Sequence, residues 1–499
     1  MFSTWSTCGT THTLVILVVC FCLTLMLRYV YSEFVRSNLP GPRGWPMVGN
    51  ALSISRHAHL TFTKWAKQYG PVIGIKIGPM HVVVLNDLYA IESALSKNTE
   101  ITNRPVPGLL RAAFSNDGSL LWENAEKWIK NRKFVVRFLF NFKHRQLWHL
   151  LEAESRQLCG TIKVHDDQTL DVCQPMSMAV SNVLCALCFG HRFEYDEERY
   201  RLLLSNLNAL GKSVSGTTIG HFLPFLYYTP LYRNFRRLAK TLSDFIDSEI
   251  DEHIKTYDPK KGTLDLIDMF LKEESDGKSE HNLQGGWTRR THKYIRRAVI
   301  DMFASGTDTT STALAWAILY MTQHRDKQTA VQKEIDAVMC HGGLQNLGSY
   351  YKNLPVTRAT LMEVLRHANI SPLGLPRTAS QTTSIDGHCC PRDTWVFANI
   401  WSVHYDEKYW HAPNEFHPER FLSADHKSVI APKAFMPFGL GKRCCIGEQI
   451  AMATMLVLFS KLLLEFDFRI PDADPTPSLV GINGLTLAPK PFRVCAIPR

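Results

Sequence analysis

Near its C-terminal end the chain reads Pro437-Phe438-Gly439-Leu440-Gly441-Lys442-Arg443-Cys444-Cys445-Ile446-Gly447-Glu448, and an apolar run with helical character, Ile450 to Phe466, follows at once. No other stretch narrows the fold as much. Glycine permits positive φ and close approach of the backbone to a flat ligand. The pattern describes a tight loop that delivers a cysteine to the start of a buried helix. Amide N–H groups and the dipole at that helix end favour an anion, so Cys445 is expected as thiolate. The plainer alternative is a glycine-containing loop before a core helix, with Cys445 a small inert hydrophobe.

The spacing of five residues decides between them. Phe438, Gly441, Arg443, Cys445 and Gly447 fit Phe-x-x-Gly-x-Arg-x-Cys-x-Gly, and the stretch resembles the haem-binding signature of the cytochrome P450 family. The resemblance implies haem b, with Cys445 as the axial thiolate and metal ligand. Phe438, Arg443 and Gly447 are implied as cofactor-binding residues, Arg443 by reaching a propionate. Thiolate-ligated haem is the oxygen-activating kind. Cys444 is the wrong thiol by register and is expected to pack or point away.

The chain has 499 residues, 45% of them hydrophobic and 20% charged, which describes a globular protein rather than a disordered one. A formal charge of +10 suits an acidic partner or an anionic membrane surface. No nucleic-acid motif accompanies it. Thirteen cysteines without a repeated spacing argue for a reducing compartment, and Cys389-Cys390 and Cys444-Cys445 are adjacent pairs rather than Cys-x-x-Cys metal spacings.

Thr13 to Leu27 is apolar and uncharged, and Thr11 to Val30 makes a plausible span of about 20 residues. No Lys or Arg precedes it, whereas Arg28, Arg36 and Arg43 follow. The positive-inside rule leaves the remainder in the cytosol, and a signal anchor is expected rather than a cleaved signal peptide. The expected organisation is a lumenal tip and transmembrane anchor over 1–30, a proline-rich hinge over 31–46 and a catalytic domain over 47–499. His59 to Gly70 reads as a helix, and Val72 to Ile77 and His81 to Leu85 as two strands. Ile101 to Leu121, with Pro105, Pro107, Gly108 and Gly118, reads as a long loop. Ser215 to Leu231 is aromatic-rich around Pro224, either a core segment or a loop dipping into a membrane. Glu273 to Trp287 reads as a polar surface loop.

Trp122 to Arg145 is a basic helical stretch. Trp128 and Arg132 lie four apart on one helical face. They match the family's Trp-x-x-x-Arg motif, which implies that both donate to a haem propionate. The other basic residues suit an acidic electron donor. His292 to Met321 reads as a long helix with a weak centre, Ala304-Ser305-Gly306-Thr307-Asp308-Thr309-Thr310-Ser311. Its glycine and hydroxyl residues are poor helix formers, so a local opening is expected there. An acid followed by a hydroxyl suits proton delivery. The stretch resembles the family's Ala/Gly-Gly-x-Asp/Glu-Thr-Thr motif. That implies Gly306 as the opening, Asp308 as proton relay and Thr309 as the hydroxyl that meets dioxygen, with Ser305 in place of the usual Ala or Gly.

Glu363 and Arg366, at i and i+3, are commonly a surface pair. Here they match Glu-x-x-Arg, and Pro418-Glu419-Arg420-Phe421 matches the family's Pro-Glu-Arg-Phe. The implied triad of Glu363, Arg366 and Arg420 is structural. Asn399, Trp401, His404, Asp406, Trp410, Pro413 and Phe416 fall in the family's order between them. Ser371 to Arg377 breaks the helix and returns a strand, with Arg377 implied as a further propionate-binding residue. Gly481 to Leu487 reads as a turn whose tip reaches the substrate pocket.

The resemblance covers the chain after the anchor. It is closest to the microsomal class II members, in the animal branch of drug-metabolising and steroid-hydroxylating enzymes. It implies a mainly α fold with small β-sheets, the family's triangular prism, preceded by one transmembrane helix. The implied reaction inserts one atom of O2 into a lipophilic substrate: a sterol or steroid, a fatty acid or a xenobiotic. Electrons would come from NADPH-cytochrome P450 reductase, with cytochrome b5 as a further donor, on the endoplasmic reticulum membrane with the catalytic domain cytosolic. The alternatives are a reductase-independent isomerase or dehydratase of the same fold, which retention of Asp308-Thr309 disfavours, and a non-catalytic haem-thiolate binding protein.

Overall fold

Runs rich in β-branched residues set up the first sheet. β1 (Val72–Ile77) and β2 (Met80–Leu85) pair antiparallel from Val72↔Leu85 to Ile77↔Met80. Gly78, at φ 57°, turns the chain between them. The strands β3 (Arg377–Thr378), β4 (Thr383–Ile385), β5 (His388–Cys390) and β6 (Trp395–Ala398) come from much later in the chain. β6 pairs parallel with β2 and antiparallel with β3, giving the order β1-β2-β6-β3. The β4–β5 hairpin turns on Asp386-Gly387, both at positive φ, the residue types that a two-residue hairpin loop demands. The helix Ala58–Tyr69 buries Ala58 and Phe62 in one apolar cluster with Ile73, Ile75, Val82 and Val84.

The structure, a computed structural model, describes residues 16–17, 19–20, 23–24, 39–46, 48–114, 118–141, 144–163, 169–213, 220, 224–258, 260, 265–276, 289–340 and 353–499. The elements above belong to the smaller of two compact units, 1–102 with 373–402; the larger comprises 103–372 with 403–499. Most of the expected span Thr11 to Val30 lies outside the described residues, and no helix among these is long and apolar enough to cross a membrane. Of the expected hinge, 31–38 lies outside them. Pro40 accepts a bond from the β1 Gly74 N–H at 2.8 Å, so this stretch is docked on the sheet.

The larger unit is mainly helical. Its longest element, Arg289–Gln323, has 35 residues and runs unbroken through the centre where an opening was expected. From Ala313 to Met321 every residue is buried. A helix apolar on all sides belongs inside. The Cys173–Phe189 helix buries most of its length, and the Glu448–Glu465 helix half of its length, in the same core. β7 (Phe466–Arg469) pairs with the C-terminal strand Cys495–Pro498, and β8 (Ile482–Asn483) with β9 (Leu487–Ala488). Ile101 to Leu121 is not all loop: Gly108–Ala113 is a helix entered from Pro107 at φ −60°, with Leu109 fully buried. Proline just before a helix supplies a usable φ, so its presence did not exclude one. The helix Leu266–Ser275 takes the start of the expected loop Glu273 to Trp287, whose residues 277–288 lie outside the described ones. In Ser215 to Leu231, the described Pro224–Tyr228 and Pro230–Tyr232 form short 3-10 turns exposing Phe225, Tyr228 and Leu231.

Candidate active site

The cysteine loop is built by its glycines and backbone bonds. Gly439 and Gly441 both sit at φ 73°, where any side chain adds strain. The Cys445 N–H donates to Phe438 O at 2.9 Å, closing the loop, and Gly447 caps the Glu448–Glu465 helix. A Cβ on Gly447 would lie 3.9 Å from Cys445 Sγ. Cys445 itself is exposed. Yet burial among surrounding protein is the larger influence and raises its thiol above the ordinary value, against the Gly447 N–H and the Arg132 charge. Ligation of a metal cation deprotonates such a thiol.

Trp128 and Arg132 sit on the Ala125–Asn141 helix. Arg132 Nη1 donates to Cys444 O at 3.0 Å and Nη2 lies 3.5 Å from Cys444 Sγ, so the neighbouring thiol faces this guanidinium. The Trp128 ring lies beneath two cations, with Arg443 Cζ 3.7 Å and Arg132 Cζ 5.9 Å from its centroid. Arg443 donates to Glu123 O at 2.7 Å and to Asn124 Oδ1 at 3.0 Å. The same Asn124 is clamped to the backbone of Arg104, a buried cation that no motif marked. The Trp128 Nε1 atom is buried without a hydrogen-bond partner among the described residues. An unpartnered buried donor is rare. Beside two guanidinium groups it is suited to an anionic group such as a propionate, so these residues fit haem. Arg377, expected with them, is buried on β3 of the smaller unit.

On the Arg289–Gln323 helix the weak centre holds its backbone ladder and adds to it. Ser305 Oγ donates to Asp301 O at 2.5 Å, Thr309 Oγ1 to Ser305 O at 2.6 Å and Ser311 Oγ to Thr307 O at 2.7 Å. Back-bonding of this kind lets hydroxyl residues stay in a helix. Gly306 has a different task from the expected opening. A Cβ there would come 2.8 Å from Leu184 Cδ1, so the glycine allows the Cys173–Phe189 helix to pack closely. Asp308 accepts from Thr486 Oγ1 at 2.8 Å, and burial pushes its carboxyl above the usual carboxylate range, against that bond.

Asp301 went unmarked in the sequence. Buried, it takes Ser119 Oγ–H at 2.6 Å and the Leu120 and Leu121 N–H groups at 2.9 and 3.2 Å, while Arg297 pairs with its other oxygen at 2.8 Å. It thus pins the loop ahead of Trp128 to the helix. Gly118, at φ 88°, begins that loop where a Cβ would meet Tyr294 O at 2.5 Å. The available signal was Arg297 and Asp301 at i, i+4.

The expected structural triad assembles with Glu363 and Arg366 fully buried and Arg420 partly so, rather than at the surface. Glu363 receives Arg366 Nε at 2.7 Å and Nη2 at 2.8 Å, Arg420 Nε at 3.2 Å and the His417 N–H at 2.9 Å. Arg366 also donates to His404 O at 2.6 Å, and both guanidinium groups lie over Trp410. The His404 ring is held neutral by burial, its pKa lowered to about 3, and accepts the Met436 N–H just ahead of the cysteine loop.

Comparison with known proteins agrees with this geometry. A profile described as Cytochrome P450 matches residues 39–496. The chain is similar to Cytochrome P450 2U1 of Homo sapiens, 31% identical over 488 residues, 91% of this chain and 88% of that one. It is 32% identical to Cytochrome P450 1B1 of Homo sapiens over 478 residues, covering 92% and 87% of the two chains. It is 32% identical to Cytochrome P450 2D6 of Pan paniscus over 498 residues, covering 97% and 98%. With the cysteine loop, the indole beside two arginines and the buried Glu–Arg–Arg lock already in one unit, these likenesses along nearly the whole chain mean that the protein belongs to the cytochrome P450 family of haem-thiolate monooxygenases.

Proposed function

We propose that Cys445 is the axial ligand of haem b, that Trp128, Arg132, Arg443 and Arg377 hold its propionates, and that Phe438 and Gly447 shape the loop around the sulfur. When bound, haem supplies the iron at which dioxygen is reduced and one oxygen atom is passed to a substrate. The chain's own residues manage protons and position. Asp308 presents a carboxyl that burial pushes above the usual carboxylate range, the direction that suits an acid for proton delivery. Thr309 donates to Ser305 O, so the oxygen of its hydroxyl remains able to accept. The observation that carries the reading is the buried, unpartnered Trp128 indole N–H beside Arg443 and Arg132, whose partner strand of chemistry is a carboxylate.

The substrate is a lipophilic small molecule: a sterol or steroid, a fatty acid or a xenobiotic. NADPH-cytochrome P450 reductase is the electron donor, assisted by cytochrome b5, and the exposed Lys127 and Lys133 on the Trp128 helix support docking of an acidic partner. Residues 1–30 form the single-pass anchor in the endoplasmic reticulum membrane, 31–46 the hinge and 47–499 the cytosolic catalytic domain. The exposed Phe225, Tyr228 and Leu231 support membrane contact, since aromatic and apolar groups settle at the interface. The test is Cys445→Ala in the full chain, followed by the haem absorption spectrum and NADPH-driven turnover with reductase. The thiolate-haem bands and turnover should both disappear; unaltered bands would refute the ligand assignment.

A further inference from the structure

The short hairpin of β8 and β9 is tied down on both sides of its tip. The Leu487 N–H donates to Ile370 O at 2.8 Å, and Leu487 O accepts the Trp316 indole N–H at 2.8 Å. The Gly484 N–H closes the turn onto Thr486 O at 3.0 Å. Thr486, between these anchors, is buried, and its hydroxyl donates to Asp308 Oδ2 at 2.8 Å. Thr312 Oγ1, one helical turn beyond Asp308, lies 3.5 Å from Thr486 Oγ1. Among the described residues no lysine or arginine pairs with Asp308, and Thr486 is its one side-chain donor. A Cβ on Gly211 would lie 4.0 Å from Asp308 Oδ1, so the other carboxylate oxygen faces a neighbour without a side chain.

We propose that Thr486 is a positioning residue of the monooxygenase reaction: its hydroxyl holds the Asp308 carboxyl in one orientation and makes the C-terminal hairpin part of the proton-delivery apparatus. The physical ground is the isolation of the acid. A buried carboxyl with several donors keeps its orientation when one is lost, whereas a carboxyl with one side-chain donor is free to rotate about its side-chain torsions. The hairpin is anchored to Ile370 and Trp316 through backbone atoms, so a change in the Thr486 side chain leaves the anchors in place. The inference rests on the assignment of Asp308 to proton delivery.

The test compares Thr486→Val, Thr486→Ala and Thr486→Ser with Asp308→Asn at equal haem content, using NADPH and reductase. The first readout is the share of electrons that ends as hydrogen peroxide instead of product. The second needs no turnover: the infrared band of the Asp308 side chain in the resting protein, as acid or as carboxylate, assigned by its absence in Asp308→Asn. Thr486→Val and Thr486→Ala should raise the peroxide share by about threefold, short of the roughly tenfold that the full loss of one hydrogen bond represents. Both should alter the carboxyl band. Thr486→Ser should restore both readouts, and Asp308→Asn with Thr486→Val should be no worse than Asp308→Asn alone. If Asp308→Asn leaves coupling unchanged, the assignment of Asp308 falls and this proposal with it. If Asp308→Asn uncouples while Thr486→Val does not, Asp308 stands and the role of Thr486 is overturned.

Discussion

Removing the Glu363 carboxylate should be among the most destabilising single changes available in the larger unit. Glu363 and Arg366 are both fully buried, at 0% side-chain exposure, and Arg420 is at 9%. Glu363→Ala would leave two guanidinium groups and the His417 N–H facing the space where four donors had an acceptor. Removing one partner of a buried ion pair costs about 3–5 kcal/mol, because the charge left behind is uncompensated. Trp410 under both arginines offsets a part of this, about 0.5–2 kcal/mol as a cation–π contact, but it already acts in the native protein and does not replace the lost charge. Against a typical folding free energy of about 5–15 kcal/mol, such a loss threatens accumulation of folded protein. Glu363→Gln keeps an acceptor oxygen and should cost less, about 1.5–3 kcal/mol. Replacing Glu363, Arg366 and Arg420 together by apolar residues should recover much of the loss, since no charge is then stranded. The assay is urea unfolding followed by tryptophan fluorescence and far-ultraviolet circular dichroism, read as a free energy where the two probes coincide. A loss under about 1 kcal/mol for Glu363→Ala would refute the stranded-charge reasoning.

Two further changes probe separate links. Trp128→Phe keeps a ring beneath Arg443 but deletes the unpartnered N–H; haem should transfer to an apoprotein acceptor roughly three- to tenfold faster, and an unchanged rate would remove the indole from the haem site. Gly306→Ala places a Cβ against Leu184 and should cost about 1–3 kcal/mol by over-packing, with part restored by Leu184→Val. Full stability of Gly306→Ala in urea would show that the helix pair has room there.

Much of the candidate site was legible because its residues lie close together in the chain. The cysteine loop is a single stretch, Trp128 and Arg132 are four apart, and Glu363 and Arg366 three apart, spacings at which local geometry brings side chains to one face. Strands β1 and β2 were legible for the same reason: two β-branched runs and the turn between them are local. The errors were of another kind. The centre of the long helix was read from propensities of a few tenths to about 1 kcal/mol per residue, and burial overrode them. Pro107 and Gly108 were read as loop residues, although they also begin helices.

What the sequence determined by itself is the chemistry on offer: a cysteine at a helix start, an acid beside a hydroxyl, and the local pairs of the candidate haem site. Only the tertiary structure decided what each group does with its neighbours. Asp301 pins a loop some 180 residues away, Thr486 bonds Asp308 across a separation of 178, and Gly306 makes room for Leu184. Backbone conformation follows from nearest neighbours, whereas hydrogen-bond partners and charge state depend on which distant segments the fold brings together.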